Sequence, residues 1–140
     1  MATDVSQDIR DRTFNFACTV VTVGMECDAE YRLRSIIDQL LRSATSVGAN
    51  LEEAKAASSK REFLRYVQIS LKESREARYW LRICAHLKLG PEAHVHELIG
   101  EADQISRILA AIVVSTKRRM IVGHAVFAFC ILNFAFLLSS

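Results

Sequence analysis

Leu40–Leu81 reads LLRSATSVGANLEEAKAASSKREFLRYVQISLKESREARYWL, two long helical patterns that meet at a polar joint rich in serine. Before the joint, apolar residues recur at the three- and four-residue steps of one helix face: Ile37, Leu40, Ala44, Val47, Leu51 and Ala54. After the joint, a second row has small residues at its middle: Phe63, Val67, Ser70, Ser74, Ala77, Leu81 and Cys84. Ser59 followed by Glu62 is a capping-box pattern. The stretch predicts a tight helical hairpin with a narrow waist, where a neighbouring helix approaches closely.

Two further helical patterns flank this hairpin. The first has an apolar row at helical spacing, and three further apolar residues widen it: Ile9, Phe16, Val20, Val23 and Cys27, with Phe14, Ala17 and Val21. The width of this row predicts that the helix is buried on more than one side. After a turn at Gly90 and Pro91, the last row predicts a helix that ends near Arg119: Val95, Leu98, Ala102, Ile105, Leu109 and Ile112. Because the connections are short, we predict an all-α, antiparallel up-down-up-down four-helix bundle over residues 1–119.

Residues 120–140 form an apolar C-terminal tail, MIVGHAVFAFCILNFAFLLSS, directly after the basic cluster 117–119. Its length approaches the roughly 20 residues that cross a bilayer, and the basic cluster suits a cytoplasmic flank, so one interpretation is a membrane anchor. His124 and Asn133 would be costly in hydrocarbon, which favours two other interpretations. These are an extra helix packed on this or a neighbouring subunit, and a poorly ordered extension.

Composition gives little guidance to function. The 140 residues carry a formal net charge of +2, too small to predict nucleic-acid binding from the total alone. The mixed charges of MATDVSQDIRDR differ from a secretion signal, so we expect a cytoplasmic protein. The scattered cysteines are expected to be buried free thiols: Cys18, Cys27, Cys84 and Cys130. His94 and His96 point to different helix faces, and we predict no metal site and no cofactor.

One face of the third helix carries the strongest local charge signal. Cations and one aromatic residue recur along it at three- and four-residue steps: Arg61, Arg65, Lys72, Arg75, Tyr79 and Arg82. Such cations suit phosphate groups, and a tyrosine can stack on a base, so these six residues are candidates for RNA binding. The alternative is a solvated helix face whose arginines pair with acids of a neighbouring subunit.

Two more sets of residues in the same hairpin suggest assembly rather than chemistry. Tyr66, Ile69 and Trp80 lie on a flank of the third helix and are candidates for an oligomer or partner interface. The alternative is that another helix of the same bundle covers Trp80. The polar candidates for a structural charge network that fixes helix register are Arg42, Asn50, Glu53, Glu73 and Glu76. A di-metal site on a bundle needs Glu-x-x-His, and no His follows these glutamates at that spacing, so we predict no catalytic residues.

The hairpin resembles the bacterial four-helix bundle protein family, also called the 23S rRNA intervening-sequence protein family, which includes relatives of the accessory variability determinant of diversity-generating retroelements. The resemblance lies in these residues: Gln39-Leu40-Leu41-Arg42-Ser43, Ser46-Val47-Gly48-Ala49-Asn50, Glu53-Ala54, Ser59, Glu62-Phe63, Leu71-Lys72-Glu73, Glu76 and Tyr79-Trp80-Leu81. Where the family often has proline before Ala-Asn and glycine after the glutamate, this chain has Gly48 and Ala54. The flanking helices match only by periodicity, and the tail after Arg119 matches nothing expected of the family.

The resemblance implies an antiparallel four-helix bundle that assembles into a homo-oligomer, typically a pentamer, and an association with RNA or ribonucleoprotein. It implies no catalytic residues. The sequence therefore favours a non-enzymatic, homo-oligomeric bundle that associates with RNA through the basic face of the third helix. The alternative is a structural or protein-interaction module without a nucleic-acid role, tethered to a membrane by its C-terminal tail.

Overall fold

Four α-helices make up the part of the chain that the structure describes. The structure is a computed structural model, and it describes the backbone of residues 2–27 and 33–138 and the side chains of residues 9–27 and 33–122. The helices are α1 (Ala2–Glu26), α2 (Arg34–Ala56), α3 (Lys60–His86) and α4 (Glu92–Leu138).

The order of the helices around the bundle follows their order in the chain. α3 packs extensively against α2 and α4, while α1 packs against α2 and more lightly against α4. Each of the first three helices is about 35–40 Å long at 1.5 Å per residue, and the short connections make consecutive helices antiparallel. The predicted all-α four-helix bundle is confirmed.

The predicted apolar rows form the core. All six row positions of α2 are buried, and so are the α3 positions from Val67 to Cys84, while Phe63 is half-buried at the end of the bundle. On α4 the predicted positions from Val95 to Leu109 are buried. The next predicted position, Ile112, is only half-buried, and the neighbouring Val113 is buried in its place. One helical period therefore predicted which face of each helix points inward.

The first helix differs from its prediction. Phe14 and Val21, expected to be buried on a second side, are 67% and 36% exposed. The reason is that α1 packs mainly against one neighbour, α2, so that only one face is covered. Thr13 is fully buried instead, and it lies close to the backbone of Gly48. A Cβ at that glycine would lie 3.5 Å from the Thr13 hydroxyl, so α1 and α2 approach closely here, as a mid-helix glycine suggests.

The waist of the bundle is built from hydroxyl groups. Ser70 donates a 2.6 Å hydrogen bond from α3 to the carbonyl of Val47 on α2. On the other side of α3, the hydroxyls of Ser74 and Ser106 lie 2.8 Å apart and join α3 to α4. Both α3 serines are fully buried. The small residues predicted to narrow the waist thus also bond α3 to both of its neighbours.

Both ends of α3 are closed by local hydrogen bonds. At its start, Ser59 accepts from the backbone N–H of Glu62, whose carboxylate in turn accepts from the backbone and the hydroxyl of Ser58. These bonds lower the pKa of Glu62. At its end, Lys88 has φ +53° and Leu89 donates back to the carbonyl of Cys84, the pattern of a Schellman motif.

The fourth helix is much longer than the others. Its backbone continues from Glu92 to Leu138, beyond the end near Arg119 that the sequence predicts. The predictions for the tail, residues 120–140, fall almost wholly outside the described side chains. Among the residues that the structure describes, no helix contains a stretch long and apolar enough to cross a membrane.

Candidate functional site

The outer face of α3 carries a row of basic residues. Its five predicted cations are all exposed, and they lie opposite the buried row of the same helix: Arg61, Arg65, Lys72, Arg75 and Arg82. From the first to the last, the row runs about 30 Å along the helix. We call these five residues the outer stripe.

Acids on the two flanks of α3 pair with arginines outside the outer stripe. Glu73 and Glu76 lie on the flank of α3 that faces α2, where the guanidinium of Arg42 contacts both carboxylates. On the opposite flank, Arg78 forms a 2.9 Å ion pair with Asp103 of α4. None of the five stripe cations takes part in an ion pair among the described residues. Glu62 is close enough to Arg65 for charge attraction, without a direct ion pair.

Tyr79 adds an exposed aromatic ring to the stripe. Its side chain is 56% exposed and meets the ring of Trp80 edge to face at 5.2 Å. Beside it lies a shallow groove of about 420 Å³, lined by Tyr79, Arg82, Ile83, His86 and Leu87. The sequence did not single out Ile83 or Leu87 as part of this site, because a groove wall cannot be read from charge spacing. The groove combines an aromatic face with a guanidinium group.

Only part of the predicted polar network assembles. Arg42 contacts Glu73 and Glu76, but the amide of Asn50 donates to the carbonyl of Ser46 in its own helix, at 2.8 Å. Glu53 is exposed and joins no ion pair among the described residues. The reason is the position of each residue along the helix axis. In an antiparallel hairpin that turns at Ser58 and Ser59, Arg42 is level with the middle of α3, whereas Glu53 is level with its start.

Glu73 is an incompletely satisfied carboxylate. Its side chain is only 17% exposed, and its Oε2 atom is buried without a hydrogen-bond donor in the described structure. Arg42 approaches to 3.6 Å, close enough for charge attraction but too far for a hydrogen bond. Burial, together with the nearby charge of Glu76, raises the pKa of Glu73 against the opposing effect of Arg42.

The three predicted interface residues lie together on the α2 side of α3. Tyr66, Ile69 and Trp80 are each half-buried within the single chain. The indole N–H of Trp80 donates to Glu76 at 3.3 Å, and the guanidinium of Arg65 lies 5.3 Å from the centre of the Tyr66 ring. The bundle thus covers these three residues only in part, and we call them the aromatic patch.

A second apolar surface, between α1 and α2, was not predicted as a site. A groove of about 510 Å³ is lined by Phe14, Ala17, Cys18, Val21, Thr45, Gly48 and Ala49, with Arg10 and Glu52 at its border. The apolar residues Phe14 and Val21 were visible in the sequence, but they were assigned to the core instead.

Cys18 is exposed, contrary to the prediction of buried thiols, whereas Cys84 is buried and its pKa is raised to about 11 by desolvation.

No constellation for catalysis or metal binding stands out in the described part of the chain. His86, His94 and His96 are exposed. Within the described residues, no group of three or more His, Cys, Asp or Glu side chains is placed to hold a metal ion.

Comparisons with known proteins agree with the fold. The sequence model of the 23S rRNA-intervening sequence protein family matches residues 6–111. A crystal structure of a protein of unknown function from the S23 ribosomal protein family of Bacteroides thetaiotaomicron VPI-5482 is also similar. It is 28% identical, with a TM-score of 0.69, and the match covers 75% of this chain and 97% of that one. A search of curated proteins gives no match.

Glu73→Gln should stabilise the bundle more at neutral than at acidic pH. Because the folded state raises the pKa of Glu73, it binds this proton more tightly than the unfolded chain does. The stability contributed by the protonated form is therefore present below the unfolded pKa and is lost as the pH rises through the folded pKa. Urea unfolding from pH 4 to 7 measures this, with exposed Glu53→Gln as the control for charge removal. A difference between the two variants that shrinks as pH rises would contradict the assignment.

Proposed function

This chain belongs to the 23S rRNA-intervening sequence protein family, and from that premise we propose that it is a non-enzymatic, homo-oligomeric protein that binds RNA through the outer stripe of α3. The observation that carries the proposal is the stripe itself. Five exposed cations line one helix face, while Glu73 and Glu76 of α3 pair with Arg42, and Asp103 of α4 pairs with Arg78.

The chemistry of the stripe fits an RNA backbone. Lysine and arginine side chains at phosphates release condensed counterions, which provides affinity without base specificity. RNA also presents unstacked bases in loops, and these stack on aromatic rings or guanidinium planes. Tyr79 and Arg82 supply both groups at one groove. The site suits single-stranded or looped RNA more than a uniform duplex.

Assembly would strengthen this contact. One stripe with five cations makes a weak, salt-sensitive site, whereas several copies in one oligomer present several stripes to the same polyanion. The resemblance noted from the sequence implies a pentamer, and our proposal needs only that more than one stripe be presented together. An oligomer that buried the stripes between subunits would be incompatible with it.

Replacing Arg65, Lys72 and Arg75 together by Gln should weaken RNA binding and flatten its salt dependence. If all three cations contact phosphates, the slope of log affinity against log salt should fall by roughly two to three. Fluorescence anisotropy with a structured RNA over a salt series measures both quantities.

The matched control removes the same charge elsewhere, at Lys117, Arg118 and Arg119. This variant should keep the wild-type affinity and slope. An equal loss in both triple variants would show that net charge alone governs binding, and unchanged binding in the α3 variant would remove the outer stripe from the proposal.

The half-buried aromatic patch on α3 favours a second function, which is protein contact through Tyr66, Ile69 and Trp80. Aromatic residues that are partly covered within one chain are typical anchors of interfaces. We propose that copies of the chain meet at this aromatic patch.

Light scattering tests the interface. Wild-type protein should form an oligomer, and Trp80→Ala should shift it towards smaller species, because truncation of an interface anchor commonly costs more than 2 kcal/mol. Exposed Tyr79→Ala is the neighbouring control and should remain assembled. A monomeric wild-type protein, or a fully assembled Trp80→Ala variant, would refute the assigned interface.

A further inference from the structure

One end of the bundle carries six exposed cations, and it is the end from which α4 leaves. The hairpin between α2 and α3 contributes three exposed cations, and α4 contributes three more just outside the bundle. They are Lys55, Lys60, Arg61, Lys117, Arg118 and Arg119. None of them takes part in an ion pair among the described residues. We call these six residues the basic end.

A shared cavity places the two groups at the same end. Lys55 and Lys60 line a cavity of about 490 Å³ together with Ile112 of α4. Lys117 follows Ile112 by five residues, which is about 8 Å along the helix axis. The α4 cluster therefore lies just past the hairpin, on the outward continuation of the bundle.

Some acids lie close to these cations. Glu52 pairs with Arg10, at 3.4 Å, and so adds no net charge. Glu53 is exposed, and hydrogen bonds from Ser58 lower the pKa of Glu62, so these two carboxylates offset part of the hairpin's positive charge. The positive charge at this end therefore comes mainly from the α4 cluster, along the direction in which α4 projects.

Beyond the basic end, α4 changes character. Ile121 and Val122 are 70% and 54% exposed, so the described part of the projecting helix already presents apolar side chains to solvent. The α4 backbone continues to Leu138, and the sequence from Met120 onward contains no Lys, Arg, Asp or Glu. Residues 120–138 span about 28 Å as a helix, close to the thickness of a bilayer hydrocarbon core.

We propose that the protein binds an anionic lipid bilayer end-on, with the basic end against the headgroups and the continuation of α4 in the apolar layer. Cations next to an apolar segment match the two parts of a bilayer, negative headgroups and hydrocarbon. RNA matches only the first part, because exposed valine and isoleucine neither pair with phosphates nor stack on bases. Apart from Arg61, which belongs to both sets, the basic end is separate from the RNA-binding role of the outer stripe, which lies along the side of the bundle.

Flotation of the full-length protein with lipid vesicles tests this proposal. The vesicles contain phosphatidylcholine alone or phosphatidylcholine with phosphatidylglycerol, and binding should be stronger to the second. Each cation near an anionic surface raises partitioning about fivefold, so Lys117→Gln, Arg118→Gln and Arg119→Gln together should lower partitioning to anionic vesicles about 100-fold. The matched control, Arg65→Gln, Lys72→Gln and Arg75→Gln, should bind vesicles like the wild type.

A second readout reports the apolar contact. The emission of Val122→Trp, corrected for native Trp80, should shift to the blue when anionic vesicles are added. Absence of that shift, wild-type protein that does not float with anionic vesicles, or equal losses in the two triple variants would each overturn the proposal. So would an end variant that loses RNA binding while keeping vesicle binding, because the basic end would then belong to RNA.

Discussion

The structure depends on how closely α3 approaches the helices on both sides of it. Ser70 reaches the backbone carbonyl of Val47 on α2, and Ser74 reaches the hydroxyl of Ser106 on α4. A serine side chain is short, so these bonds form only where the helices are close together. Each hydroxyl is buried with a partner, which removes the penalty of leaving a polar group unsatisfied. The waist is therefore both close-packed and bonded.

This constraint determines where charge can go. With α2 and α4 held against its two flanks, α3 has ion pairs at each seam, Arg42 with Glu73 and Glu76 on one side and Arg78 with Asp103 on the other. The remaining face points outward and carries the exposed cations of the outer stripe. The basic end arises differently, from the α2–α3 hairpin and from the part of α4 that leaves the bundle at the level of that hairpin. The chain thus presents two positive surfaces, one along the bundle and one at its end.

Much of the fold could be predicted from the sequence, because a single helical period assigns each core residue to a face. The period gives an angle around one helix and says nothing about which neighbours cover that angle, so Phe14 was assigned to the core although α1 leaves it exposed. The outer stripe was predictable as a face for the same reason. The pairing of Arg42 was predicted with partners that included Glu53, since only the turn of the hairpin shows which residues are level with each other.

The central claim, that small residues at the α3 waist set the spacing of the bundle, is tested most directly by the free energy of unfolding of Ser74→Leu. Urea unfolding should show a loss of about 1–3 kcal/mol or more from overpacking. Ser115→Leu, at an exposed serine of α4, should stay within about 0.5 kcal/mol of the wild type. If the two leucine variants are equally stable, the waist does not control helix spacing and the account is wrong.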